Sequence, residues 1–207
     1  MRILVVGATG GLGRDVVSEA LAGRHETAAL VRDPARAALP GEVEIVQGDA
    51  LDRASLTGPL EGRDAVICAL GTPSPRRRST LLEDGTRNLV AAMAEVGVRR
   101  LACVTLLGVG SSRANASLFY RAVILRVLAP MVPDKERQEQ VVRGSGLEWV
   151  LVRPGRFVKG KPRGELRIVR EAEQRRVGHV VRGDLARFLV ECVTSDGYVG
   201  QAVVVGS

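Results

Sequence analysis

Three glycines at every third position, Gly7, Gly10 and Gly13, follow directly on the apolar run Ile3-Leu4-Val5-Val6. What such a stretch offers chemically is unobstructed backbone N–H. Gly7 can take a positive φ in a tight turn, Gly10 leaves room for a pyrophosphate to approach the chain, and Gly13 lets a following helix sit close on the strand. The free N–H groups and the dipole of the helix start then face the phosphates. Gly7, Thr9, Gly10, Gly11, Leu12 and Gly13 are accordingly the expected phosphate-side residues of a dinucleotide site. The spacing is G-x-x-G-x-x-G, and its place between a strand and a helix gives it meaning.

The remaining chemistry is expected at the ends of later apolar runs. Thr27 to Val31 closes on Arg32, where a dinucleotide site holds the adenosine ribose. An arginine there accommodates a 2′-phosphate, whereas an acidic residue accepts from a 2′-hydroxyl, so Arg32, with Arg36 nearby, favours NADP over NAD. Asp33 is the counter-indication if its side chain turns inward. Asp49, with Ala50 and Leu51, is placed beside the adenine, and Leu70-Gly71-Thr72 forms a small-residue strand end over which the cofactor crosses. Thr105 ends the fifth run and is expected beside the nicotinamide, followed by Leu106, Leu107 and Ser111. The turn Pro154-Gly155-Arg156-Phe157 is stiff because Pro154 fixes φ, and it is expected against the nicotinamide, with Phe157 stacking on a flat substrate. Arg156, Lys159 and Lys161 are candidates for an acidic substrate. Arg76-Arg77-Arg78 reads either as a phosphate contact or as a solvated loop.

These residues must be positioned by alternating strands and helices. Val16, Val17, Ala20 and Leu21 recur at helical spacing after the first strand,. Strands are expected over 27–32, 42–47, 64–70, 100–105, 146–153 and 200–205, the last closing the sheet. Helices are expected from Ser79 or Thr80 to Val96 with Gly97 as stop, from a cap at Asp134 to Gly144, and from Asp184 through Leu185, Phe188, Leu189 and Cys192. Asp52 reads as the cap of a short helix. Segments 165–170 and 176–181 read as a strand pair. Phe119 to Leu128, including Tyr120, is apolar enough to lie over a pocket, to meet a partner subunit or to be core. The pattern predicts one α/β domain over 1–207, a doubly wound Rossmann sheet, mostly parallel, with helices on both faces. Segments of about 106–130 and 154–182 would form its substrate side.

Composition narrows the function classes. The net charge is +7, carried almost wholly by arginine, with lysine only at 135, 159 and 161. The charges form no continuous tract, and the one Trp, two Tyr and three Phe are not interleaved with them. That argues against nucleic acid and for an anionic cofactor and substrate drawn in by the field. No apolar run reaches the ~20 residues of a membrane span. The first strand starts at Arg2 with no room for a signal peptide, so a cytoplasmic protein without a membrane partner is expected. Cys68, Cys103 and Cys192 lie in apolar runs without metal-ligand spacing, which predicts reduced core thiols and no metal.

Taken together, Gly7-Ala8-Thr9-Gly10-Gly11-Leu12-Gly13, Val31-Arg32-Asp33-Pro34, Gly48-Asp49, Leu70-Gly71-Thr72, Asp134-Lys135-Glu136 with Glu139, and Ser145 to Trp149 running into Arg153-Pro154-Gly155 resemble one group. It is the atypical short-chain dehydrogenase/reductases of the NmrA-like, NAD(P)H-binding type, and within it the flavin reductase/biliverdin-IXβ reductase branch. The resemblance spans essentially the whole chain, including 83–93 and Tyr198-x-Gly200. It implies hydride transfer from NADPH to a flat conjugated acceptor such as a flavin (FMN included), a quinone or a tetrapyrrole. Positioning the reactants carries most of such catalysis, and water protonates the product. Two departures stand out. The Tyr-x-x-x-Lys pair of the wider family is absent, since Ile124 stands four residues after Tyr120, and Leu106 replaces the serine that follows the fifth-strand threonine. Thr105, Ser111 and Lys135 are the candidate catalytic groups, Lys135 through the family's helix motif, where a salt-bridge role competes. Leu106, Leu107, Tyr120, Arg156 and Phe157 are the candidate substrate-side residues. The alternative is a non-catalytic NADP(H) sensor that binds a regulatory protein. An epimerase is disfavoured because its acid/base pair is missing. The protein is expected as a monomer or homodimer acting on a small aromatic acceptor.

Overall fold

The computed structural model describes residues 1–206 apart from 73, 75, 159, 161, 163, 165, 172 and 174. In chain order the elements are β1 (Arg2–Val6), α1 (Gly11–Ala22), β2 (Glu26–Val31), β3 (Glu44–Gln47), α2 (Thr57–Leu60), β4 (Ala65–Cys68), α3 (Leu81–Val96) and β5 (Arg100–Val104). A π-helical turn at Tyr120–Ile124 leads into α4 (Leu125–Val127), then α5 (Val132–Arg143), β6 (Glu148–Pro154), β7 (Arg156–Val158), β8 (Arg167–Arg170), β9 (His179–Val181), α6 (Arg182–Thr194) and β10 (Gln201–Gly206).

Among the described residues, eight strands form one sheet in the order β3-β2-β1-β4-β5-β6-β10-β8, with every pairing parallel except β10 with β8. This is the expected doubly wound α/β arrangement. Alternation along β1 shows why both faces must be covered. Ile3 and Val5 join the core beneath α1 and α6, which also holds Val16, Val17, Leu185 and Leu189. Leu4 and Val6 join the opposite core beneath α3 and α5, with Leu89, Met93 and Val142. Chain order reverses at β1, where β2 lies on one side and β4 on the other, and in such sheets that is where a crevice opens at the strand ends.

Several sequence expectations need correction. The segments 165–170 and 176–181 do not pair with each other. β8 runs antiparallel along β10, while β9 pairs in parallel with β7 in a separate two-stranded sheet. β10 is therefore internal, and β8 covers the backbone groups that an edge strand would leave unpaired. Asp134 does not cap its own helix. With Pro133 in its first turn, where proline's missing N–H costs nothing, α5 begins at Val132,. Asp134 instead reaches α3, accepting from Leu82 N at 3.2 Å and Glu83 N at 2.9 Å. Thr80 is the N-cap residue of α3 but makes no side-chain cap bond, and Ser79 Oγ accepts from Leu81 N at 3.0 Å. α6 begins at Arg182, two residues ahead of Asp184. Gly97 does end α3, with φ +79°. Asp52 caps a short 3-10 turn through Ala54 N. Cys68, Cys103 and Cys192 are free and fully buried. No helix among the described residues is long and apolar enough to cross a membrane.

Candidate functional site

The turn between β1 and α1 is built as its glycines require. Gly7 has φ +83°, and a Cβ there would stand 2.6 Å from the Ala69 carbonyl oxygen. A Cβ on Gly13 would fall 2.1 Å from Gly7 O, so α1 lies directly on the turn. At Gly10 a Cβ would stand 3.3 Å from Gly7 O, a tight contact but far milder than the one at Gly13. Gly10 is the N-cap of α1 and brings no capping side chain, and α1 has no acidic residue in its first turn. The N–H groups of that turn stay available to an anion. Arg182 adds positive charge beside them: a Cβ on Gly11 would meet its Nη1 at 2.2 Å, and its Nε lies 3.3 Å from Asp15 Oδ2.

A cavity of about 800 Å³ runs along the strand ends from this turn. At one end it is lined by Arg32, Gly48, Asp49, Ala50 and Leu51, and at its centre by the glycine turn with Leu70, Gly71 and Thr72. Its far end is formed by Thr105, Leu106, Tyr120, Lys135, Pro154, Gly155, Arg156 and Phe157. The expected cofactor residues Gly7, Thr9, Gly10, Gly11, Leu12, Gly13, Arg32, Asp49, Ala50, Leu70, Gly71, Thr72, Thr105, Pro154 and Gly155 thus share one space. Arg32 is exposed at the end of β2. Asp33 caps the following turn, Oδ1 accepting from Ala35 N at 3.1 Å. Asp49 Oδ1 accepts from Leu51 N at 3.0 Å, and the Ala50 carbonyl accepts from Asn88 Nδ2 at 3.0 Å, which together fix that loop.

Two expected residues lie elsewhere. Leu107 is fully buried with Ala116, Tyr120 and Val169, behind the cavity wall. Ser111 stands on a separate cleft of about 290 Å³, where its hydroxyl donates to Glu171 at 2.5 Å and accepts from Arg153 Nη1 at 2.9 Å. Lys159 and Lys161 lie outside the described residues. The segment Phe119 to Leu128, apolar enough in sequence to lie over a pocket, lines this one through Tyr120, Ile124 and Leu128, whereas Leu81 and Met131 were missed. Met131 continues Tyr120, Ile124 and Leu128 at helical spacing, which was the available signal.

Beneath the far end lies a polar network supplied by one face of α5. Lys135 Nζ donates to the Val104 carbonyl and to Gln138 Oε1, each at 2.9 Å, and Gln138 Nε2 donates to Thr86 at 2.9 Å. Burial pulls the Lys135 pKa below the ordinary lysine value, opposed by neighbouring acidic groups that include Asp134 and Glu139. Glu139 binds Arg153 through two contacts, Nε to Oε1 at 2.9 Å and Nη2 to Oε2 at 2.6 Å. Burial alone would lower the Arg153 pKa, but the pairing with Glu139 outweighs it and holds it up. Glu139 Oε1 also accepts from the Thr105 hydroxyl at 2.7 Å. Arg153 was legible as an anomaly, since a charge inside the run Val150 to Pro154 has to find a partner. Tyr120 faces the cavity with its phenol pushed up to about 12 by burial. No metal-binding cluster occurs among the described residues.

Known proteins bear on this cavity. Residues 7–196 match a family described as NAD(P)H-binding. A (4-alkanoyl-5-oxo-2,5-dihydrofuran-3-yl)methyl phosphate reductase of Streptomyces griseus is 34% identical over 75% of this chain and 48% of its own length. The chain spans about half the length of that relative. A short-chain dehydrogenase/reductase of Veillonella parvula, solved in complex with NADP, superposes with a TM-score of 0.84 at 15% identity, over 100% of this chain and 94% of that one. ChuY, an anaerobilin reductase of Escherichia coli O157:H7, superposes with a TM-score of 0.78 at 22% identity, covering 100% and 97%. At those identities the structures speak for the fold alone, and it is the Rossmann fold that the strand order shows. With a family match that runs from the glycine turn to beyond α6, the chain belongs to this NAD(P)H-binding family.

Proposed function

We propose that this protein is an NADPH-dependent reductase that delivers a hydride to a flat conjugated acceptor, a flavin, quinone or tetrapyrrole-like molecule. One observation carries the reading. The cavity that begins at Arg32 continues past the glycine turn into a far end walled by Thr105, Pro154 and Gly155 and bordered by Tyr120, Ile124, Leu128 and Phe157. The cavity size and its apolar walls suit a dinucleotide with a planar molecule laid against its reactive end.

Bound NADPH would supply the hydride, and the chain's own residues do the rest. The glycine turn and the first turn of α1 hold the pyrophosphate, and Arg32 meets the 2′-phosphate, while one oxygen of Asp33 is taken up in capping its own turn. Thr105, Pro154 and Gly155 orient the ring. Phe157, 45% exposed at the rim, is placed to cover an acceptor, and Arg156 beside it to attract an acidic one. Ser111 faces the other cleft and leaves the catalytic set. Lys135 is anchored to the end of β5 and acts as a strut. Placing two reactants face to face is a sufficient contribution for hydride transfer, with water supplying the proton.

The second reading, a non-catalytic NADP(H) sensor, rests on those same engagements: Lys135 and the Thr105 hydroxyl are both committed to protein partners. Mixing the protein with NADPH or NADH and either FMN or a soluble quinone, while following absorbance at the reduced nicotinamide band, separates the two. Turnover with NADPH supports the reductase. Tight NADPH binding with no turnover on FMN or the quinone would favour the sensor.

A further inference from the structure

The Thr105 hydroxyl has one proton, and the structure fixes its direction. Thr105 ends the β5 run on the cavity wall, and its Oγ1 lies 2.7 Å from Glu139 Oε1. An ionised carboxylate only accepts hydrogen bonds, so the hydroxyl must donate to it. Glu139 forms a buried ion pair with Arg153, which grips both of its oxygens, at 2.9 and 2.6 Å, with side chains 5% and 1% exposed respectively. Glu139 therefore stands as the acceptor toward Thr105, and the hydroxyl is left with only its remaining lone pairs to offer. Whatever group settles on that oxygen must bring a proton of its own.

At the far end of the proposed cofactor, the donor beside the reactive ring is the carboxamide N–H. We infer that Glu139 and Arg153 are positioning residues that hold Thr105 as an obligate hydrogen-bond acceptor for the nicotinamide carboxamide, and so set the ring's orientation beside Pro154. The inference rests on the reading of the cavity as an NADP(H) site but not on catalysis.

The test compares binding of NADP⁺ with that of its 3-acetylpyridine analogue, in which a methyl replaces the carboxamide nitrogen, by calorimetry on the full chain. The native protein should prefer NADP⁺ by about tenfold, the worth of one neutral hydrogen bond. Thr105→Val should lose that preference by weakening NADP⁺ alone, and Thr105→Ser should keep it. In the double variant Glu139→Leu with Arg153→Met, the Thr105 hydroxyl loses its acceptor and its proton is freed toward the cavity. The preference should then collapse although Thr105 is intact, a result that a merely structural role for Glu139 would not produce. Should that variant not fold, the Thr105 pair still decides the polarity. Equal affinity of the native protein for both ligands, equal weakening of both by Thr105→Val, or a preserved preference in the folded double variant Glu139→Leu with Arg153→Met would overturn the inference. No binding of either ligand to the native protein would overturn the cavity assignment itself, and this inference with it.

Discussion

Alanine at Gly13 and alanine at Gly10 should fail in different ways, although the two glycines belong to one motif. A Cβ at Gly13 would lie 2.1 Å from Gly7 O and 2.8 Å from Ala8 Cα, both backbone atoms with no rotamer to yield. Restoring ordinary contact means backing α1 away from the turn by more than about 1 Å, which disturbs the core beneath it. The expected cost is about 3 kcal/mol, at the upper end for overpacking. In a chain of this size that lowers Tm by about 6–12 °C. At Gly10 a Cβ would stand 3.3 Å from the Gly7 carbonyl oxygen with φ at −72°, so alanine needs the turn to give by only a few tenths of an ångström and should cost about 1 kcal/mol, part of it as a poorer N-cap,. The methyl would instead stand where the pyrophosphate approaches, and NADPH affinity should fall by at least about tenfold, or 1.4 kcal/mol. Urea unfolding with an unchanged m value and calorimetric titration of NADPH read the two effects separately. Gly41→Ala, which meets nothing within 4 Å, is the control. If Gly13→Ala were as mild as Gly41→Ala, or if Gly10→Ala left NADPH binding intact, the division of labour within the turn would be wrong.

Three further perturbations probe the supports around the site. Arg153→Met leaves the Glu139 carboxylate buried without its cation and should cost about 3–5 kcal/mol in urea unfolding, whereas the double change Glu139→Leu with Arg153→Met should recover most of that loss. Asp134→Ala removes the acceptor for Leu82 N and Glu83 N at the start of α3, and should cost about 2 kcal/mol, seen as a Tm drop of about 4–8 °C,. Burial raises the Tyr120 phenol from 10.0 to about 12, so it should stay neutral past pH 11 in an ultraviolet titration of the folded protein, and Tyr120→Phe should abolish the latest-titrating component. Because the unfolded chain gives up that proton first, Tyr120 should make stability fall as pH rises from 10 toward 12.

Most of the candidate site's lining was legible because a strand–glycine turn–helix unit constrains the local backbone. Glycine spacing, apolar strands and the residue at each strand end point to Arg32, Asp49, Thr72, Thr105 and Pro154, and all five line one cavity. Tertiary partnership was what escaped. Asp134 looks like a cap for its own helix, and only the packing of α5 against α3 turns it to another. β8 and β9 have near-equal claims to pair with each other, and the open edges of β10 and β7 decide between them. Ser111 follows Thr105 closely enough to suggest a shared site, but Gly108 and Gly110, with φ +97° and +54°, bend the loop so that its hydroxyl meets Arg153 instead. The Glu139 and Arg153 pair joins a helix to a strand across 14 residues and left one trace, a charge inside an apolar run.

Calorimetric titration of the native protein with NADPH and with NADH, repeated on Arg32→Glu, tests the central claim that this cavity is an NADP(H) site read at Arg32. NADPH should bind more tightly than NADH to the native protein, and Arg32→Glu should weaken NADPH by about 10- to 100-fold, the worth of a charged hydrogen bond, while changing NADH little. Failure to bind either nucleotide, or an equal loss of both on Arg32→Glu, would contradict it.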